Sequence, residues 1–109
     1  MSDNMSLPDR QKTGLNPSEI KLIMQALTHF PKVACGWLFG SRAKGTWKRG
    51  SDIDLAISGD YVDYSVVNSL NYHLNEETVL PYYFDVILLN QDTDPALRQH
   101  IEQYAIALK

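Results

Sequence analysis

The sequence predicts an α/β layer structure, a short sheet with helices packed against it. Three observations carry that expectation. Residues 33 to 39, reading VACGWLF, are apolar on both faces of a would-be strand, so that strand needs cover on both sides. Two more strand-length runs, at 52 to 57 and 83 to 89, alternate with stretches of helical periodicity. Two cap-then-proline pairs, Asn16-Pro17 and Asp94-Pro95, mark helix starts.

Taken in order, residues 1 to 15 are polar, contain Pro8 and Gly14, and read as a loosely held tail. A single domain follows over residues 16 to 109, the size at which one core is normally built. Its first helix starts with Asn16 as cap, Pro17 in the first position and Glu19 in the first turn, where an acid is favoured. Ile20, Ile23, Met24 and Leu27 recur at helical spacing, and the helix ends near Phe30-Pro31. Cys35 in the first strand reads as a small core residue, since an unpaired buried cysteine behaves as a hydrophobe. Ser41 to Lys44 can make one helical turn, stopped by Gly45. Asp52 to Ile57 is the second strand. Val62, Val66, Val67, Leu70 and Leu74 supply the next helix. Tyr83 to Leu89, rich in β-branched and aromatic residues, is the third strand. After Asp94-Pro95, a last helix runs to the chain end, burying Leu97, Ile101, Tyr104, Ala105 and Leu108.

The totals narrow the function. Net charge is −3, so binding along a nucleic-acid backbone is not expected. Cys35 is the only cysteine, which excludes an internal disulfide and suits a reducing compartment. No apolar run approaches the ~20 residues that cross a bilayer, and the first residues lack the layout of a secretory signal. The expected location is the cytoplasm, without a membrane partner.

Against this acidic background, Gly40 to Leu55 stands apart as GSRAKGTWKRGSDIDL. Four of the chain's ten Lys and Arg residues, Arg42, Lys44, Lys48 and Arg49, fall within eight positions. Asp52 and Asp54 follow, one residue apart, and in a strand they project from one face. Two neighbouring carboxylates repel, and a hard divalent cation such as Mg²⁺ removes that repulsion while bridging to phosphate oxygens. A lone D-x-D is more often a solvated strand end. Asp85 strengthens the case, because a single acid amid Tyr82, Tyr83, Phe84, Val86, Ile87 and Leu88 is expensive unless compensated. Either it completes a three-carboxylate cluster or it pairs with an Arg or Lys. Gly40 allows close backbone approach, and Ser41 offers a hydroxyl to a phosphate oxygen. Arg42 and Lys44 are placed to neutralise phosphate charge; Lys48 and Arg49 read equally as surface. Trp47 reads first as loop packing and second as a nucleobase platform. The three histidines, His29, His73 and His100, lack metal-ligand spacing and receive no role.

The pattern G-S-x(10)-D-x-D, here Gly40, Ser41, Asp52 and Asp54, with Asp85 in a later strand, resembles the polymerase-β-like nucleotidyltransferase superfamily. The block GSRAKGTWKRGSDIDLAI is similar to its minimal nucleotidyltransferase (MNT) branch, and the resemblance covers roughly residues 17 to 108. It implies a nucleotidyltransferase fold, a short mixed β-sheet with helices packed against it. It implies that Ser41 contacts the nucleotide triphosphate, that Asp52 and Asp54 bind Mg²⁺, and that Asp85 is the third catalytic acid, with two ions expected and ATP as substrate. It also implies a partner: minimal members pair with a helical HEPN protein, as in the MntA–HEPN toxin–antitoxin systems, where AMP moves from ATP to a tyrosine of the HEPN ribonuclease. The expected assembly is then a hetero-oligomer. Two other readings stay open: an antitoxin that neutralises its HEPN partner by binding alone, and a nucleotidyltransferase acting on a small molecule such as an aminoglycoside.

Overall fold

A computed structural model of the chain describes residues 10–109. Four strands form one mixed sheet in the order β3-β2-β1-β4. They are β1 (Cys35–Phe39), β2 (Ile53–Ser58), β3 (Phe84–Leu88) and β4 (Ile106–Ala107). Helices α1 (Arg10–Thr13), α2 (Pro17–His29), α3 (Ser41–Lys44), α4 (Tyr64–Glu76) and α5 (Pro95–Tyr104) surround it. β1 runs antiparallel to β2 and β4, whereas β2 and β3 are parallel. No helix among the described residues is long and apolar enough to cross a membrane.

Local chemistry sets the helix starts. Asn16 caps α2 by accepting from the Glu19 amide at 2.8 Å, and Glu19 returns a bond to the Asn16 amide at 3.0 Å, a reciprocal capping box with Pro17 in the first turn. Asp63 caps α4, and Asp94 caps α5 ahead of Pro95.

The alternating side chains then bury two separate cores. On one face, Leu38, Leu55, Ile57 and Phe84 pack under α2 and α4; on the other, Phe39, Ala56 and Trp37 pack under Leu97 and Ile101 of α5. The first strand is therefore covered on both sides, as its composition requires.

Two expectations fail, each for a physical reason. The segment 1 to 15 is not wholly a tail: Arg10–Thr13 is a helical turn, and Thr13 and Leu15 are buried. Residues 1–9 of that segment lie outside the described residues. The last helix does not continue to the chain end either. It stops at Tyr104, Ala105 takes an extended conformation, and Ile106–Ala107 pairs with β1. Leu97, Ile101 and Ala105 belong to the core beneath α5, but Leu108 belongs to the core beneath α2 and α4. One helix lying on one face cannot bury both, so the chain crosses the sheet edge as a strand.

β3 is an edge strand, and the outward backbone groups at its start are met by side chains of α4. Asn75 Nδ2 donates to the Phe84 carbonyl at 3.0 Å, and Asn75 Oδ1 accepts from the Phe84 amide at 2.8 Å. Asn71 Oδ1 accepts from the Val86 amide at 3.3 Å. Replacing Asn75 with Ala strands both Phe84 groups, so N75A is expected to lower unfolding stability by about 2 kcal/mol in urea titrations.

Candidate active site at one end of the sheet

Strand direction alone gathers the sequence motif. β1 ends where β2 begins because they are antiparallel, and β3 begins beside β2 because they are parallel. The turn at Gly40 and the acids at 52, 54 and 85 thus share one end of the sheet. Register makes the placement closer still: Asp54 lies opposite Phe39 on one side and opposite Asp85 on the other. Residues level across parallel strands present their side chains to the same face, here the one carrying α5.

Asp52 immediately precedes β2 rather than lying within it, and is exposed. Asp85 is exposed and Asp54 half-buried. Burial pushes the Asp54 carboxyl above its ordinary range, and the charges of Asp85 and then Asp52 push it further the same way. The ion-pair alternative for Asp85 is not found, since the salt bridge formed among the described residues is His73 with Glu77. Nor do the acids form a ready-made cage: among the described residues, no three His, Cys, Asp or Glu side chains are grouped closely enough to hold a metal. The donor set still fits a hard divalent cation. It is all oxygen, it concentrates like charge, and its central member resists ionisation without a counter-charge. Asp52 and Asp85, exposed and outside that salt bridge, are the members with room to turn inward.

Gly40 opens α3 with φ 76° and ψ −156°, a conformation closed to residues with a side chain. A Cβ there would also collide with the Asp54 carboxylate. Its own N–H donates to His100 Nε2 at 3.0 Å, so the part of Gly40 is to bring the turn against Asp54 rather than to donate to a phosphate. Ser41 follows half-buried as the first residue of α3. Lys44 is exposed, with its Nζ 5.3 Å from the centre of the Tyr104 ring.

Arg42 corrects the sequence reading. Its guanidinium is not directed at a ligand: the residue is 2% exposed. Nη1 donates to the Thr13 carbonyl at 2.9 Å, while Nε and Nη2 donate to the Ser51 carbonyl at 3.2 and 2.9 Å. The rings of Tyr82 and Trp47 lie 4.9 and 5.5 Å away. Arg42 ties α1, the start of α3 and the loop before β2 together, and Trp47 packs in that loop. His100, which received no role from its spacing, is the site residue that sequence reasoning missed. Its i, i+4 relation to Tyr104 on α5 was visible, but that α5 brings its ring to the Gly40 amide was not.

Two substitutions separate these roles by unfolding in urea. Arg42→Ala leaves the buried Thr13 carbonyl and the partly buried Ser51 carbonyl without these donors and is expected to cost on the order of 3 kcal/mol. Asp54→Asn is expected to stabilise the metal-free protein at neutral pH, because a carboxyl with a raised folded-state pKa opposes folding when ionised. The penalty grows as pH rises from the ordinary carboxylate value through the raised one. The advantage of D54N should therefore vanish in acid.

Comparison with known proteins agrees with this fold. The family profile described as Polymerase beta, Nucleotidyltransferase matches residues 21–109. Among solved structures, a form of the toxin–antitoxin MntA-HpeT with two aspartate-to-glutamate substitutions is similar at 25% identity and TM-score 0.68, over 87% of this chain and 73% of that one. A toxin–antitoxin with AMP-PNP is similar at 28% identity and TM-score 0.68, over 83% and 72%. A tyrosine-to-alanine form of MntA-HpeT is similar at 27% identity and TM-score 0.63, over 87% and 72%. No curated protein matches significantly. With the mixed sheet, the motif turn and the paired acids all in place, the chain belongs to the polymerase beta nucleotidyltransferase family.

Proposed function

We propose that this protein is a Mg²⁺-dependent nucleotidyltransferase that moves AMP from ATP onto a hydroxyl of a partner protein, acting in the cytoplasm as the antitoxin to a HEPN ribonuclease. The observation that carries the proposal is the register of Asp54 against Asp85, with Asp52 close enough to raise the Asp54 carboxyl. The likeness to toxin–antitoxin complexes, one of them with AMP-PNP, supports both the class of partner and the nucleotide.

In this reading Asp52, Asp54 and Asp85 hold Mg²⁺. When bound, the metal supplies charge neutralisation for the triphosphate and the departing pyrophosphate. Ser41 gives its hydroxyl to a phosphate oxygen, and exposed Lys44 adds positive charge at the mouth. The acceptor hydroxyl loses its proton to Asp85, the exposed acid on the edge strand, and its oxygen attacks the α-phosphorus. An O–P bond forms, the bond between the α-phosphorus and the bridging oxygen breaks, and pyrophosphate leaves. Positioning and charge stabilisation supply most of the acceleration.

Asp54→Asn and Asp85→Asn are each expected to lower AMP transfer at least ~10³-fold while leaving the complex with the partner intact. Incubation of the co-purified complex with ATP and Mg²⁺, followed by intact-mass measurement of the partner, reads the transfer directly. A D54N protein that no longer labels the partner yet still silences it would replace catalysis with neutralisation by binding.

A further inference from the structure

We propose that His100 is the positioning residue of the phosphate-binding turn: its neutral imidazole accepts from the Gly40 N–H and so holds the Gly40–Ser41 turn over Asp54. This deepens the nucleotidyltransferase reading and rests on it for the identity of the ligand.

The Gly40 carbonyl accepts from the Lys44 amide at 3.0 Å, but its N–H has no backbone partner. Phe39 opposite Asp54 is the last pair of the β1–β2 ladder, and at Gly40 the chain leaves the sheet with a positive φ. An amide at such an exit would have no partner within the sheet. The imidazole supplies one at 3.0 Å from sixty residues away in sequence. The bond also fixes the tautomer. A backbone N–H can only donate, so Nε2 carries the lone pair and Nδ1 the proton. That lone pair is engaged by Gly40, so His100 acts on the turn and not as a base toward the acceptor hydroxyl.

The ring is itself held in place. Phe39 packs against it edge-on with centroids 6.2 Å apart, and Tyr104, one helical turn further along α5, lies at 5.2 Å. Tyr104 in turn carries Lys44 over its ring. Both ends of α3 are thereby fastened to α5, Gly40 through His100 and Lys44 through Tyr104. Ser41, the residue offered to phosphate, sits between the two attachments. With only four residues, α3 is too short to define its own position; Arg42 and the buried Ala43 hold its body against α1 and the loop before β2, and the bond from α5 holds the Gly40 end that leads into Ser41.

The test compares His100→Leu, which fills similar space without an acceptor, with His100→Gln, whose amide oxygen can still accept. Two quantities are read on the full chain: amide hydrogen exchange at Gly40 by NMR, and the Kd for AMP-PNP with Mg²⁺ by calorimetry. H100L is expected to speed Gly40 exchange at least ~10-fold and weaken AMP-PNP about tenfold, whereas H100Q stays within about threefold of wild type on both. Should H100L fail to fold, His100→Asn, polar but too short to reach Gly40, takes its place with the same expectation. Unchanged exchange and affinity in the acceptor-free variant overturn the proposal, and so does equal weakening by Leu and Gln. If wild type binds no AMP-PNP, the nucleotidyltransferase reading falls, while exchange at Gly40 still decides whether His100 holds the turn.

Discussion

Everything at the active end of this protein depends on one pairing, the parallel alignment of β2 with β3 that sets Asp54 level with Asp85. Two carboxylates at adjacent strand positions are a poor choice for stability, and the Asp54 carboxyl is raised first by its burial and then by the charge of Asp85. The surrounding structure accepts that cost by making the rest of both strands apolar. Ile53, Leu55, Ile57 and Phe84 are fully buried against α2 and α4, a gain of roughly 2 kcal/mol or more for each large side chain. The acids occupy the strand starts on the α5 side, where burial is incomplete. Function and stability are thus divided between the two faces of the same strands.

Much of this was legible in the sequence because it rests on local chemistry. The Asn16-Pro17-Ser18-Glu19 start, the Asp94-Pro95 start and the apolar character of both faces of β1 each work over a few neighbouring residues, and the structure reproduces them. The turn and the acids were legible for a different reason: Gly40, Ser41, Asp52 and Asp54 lie on one short stretch that two antiparallel strands fold back on itself. Asp85 needed only that the third strand lie beside the second.

What stayed hidden depends on contacts between distant segments. Arg42 sits beside the Gly-Ser turn, and a cation there reads naturally as a phosphate ligand. Its actual partners, the carbonyls of Thr13 and Ser51, are backbone atoms that no composition or spacing reveals. His100 and Gly40 are likewise joined across the fold. The short β4 was hidden because Leu97, Ile101, Ala105 and Leu108 keep helical spacing, although Leu108 is buried on the opposite side of the sheet. Periodicity shows that a residue is buried but not on which side.

The asparagines on α4 have one more effect. A sheet border left bare invites another chain to add itself, and proteins usually discourage this with a proline, an inward lysine or a bulge. A bulge would shift β3, and with it the residue that faces Asp54. Carboxamides reaching across from a helix imitate the missing neighbour instead, donating and accepting as a strand would. The backbone on either side of Asp85 is thereby already paired, and the start of the edge strand offers another chain no free amide at Phe84 or Val86.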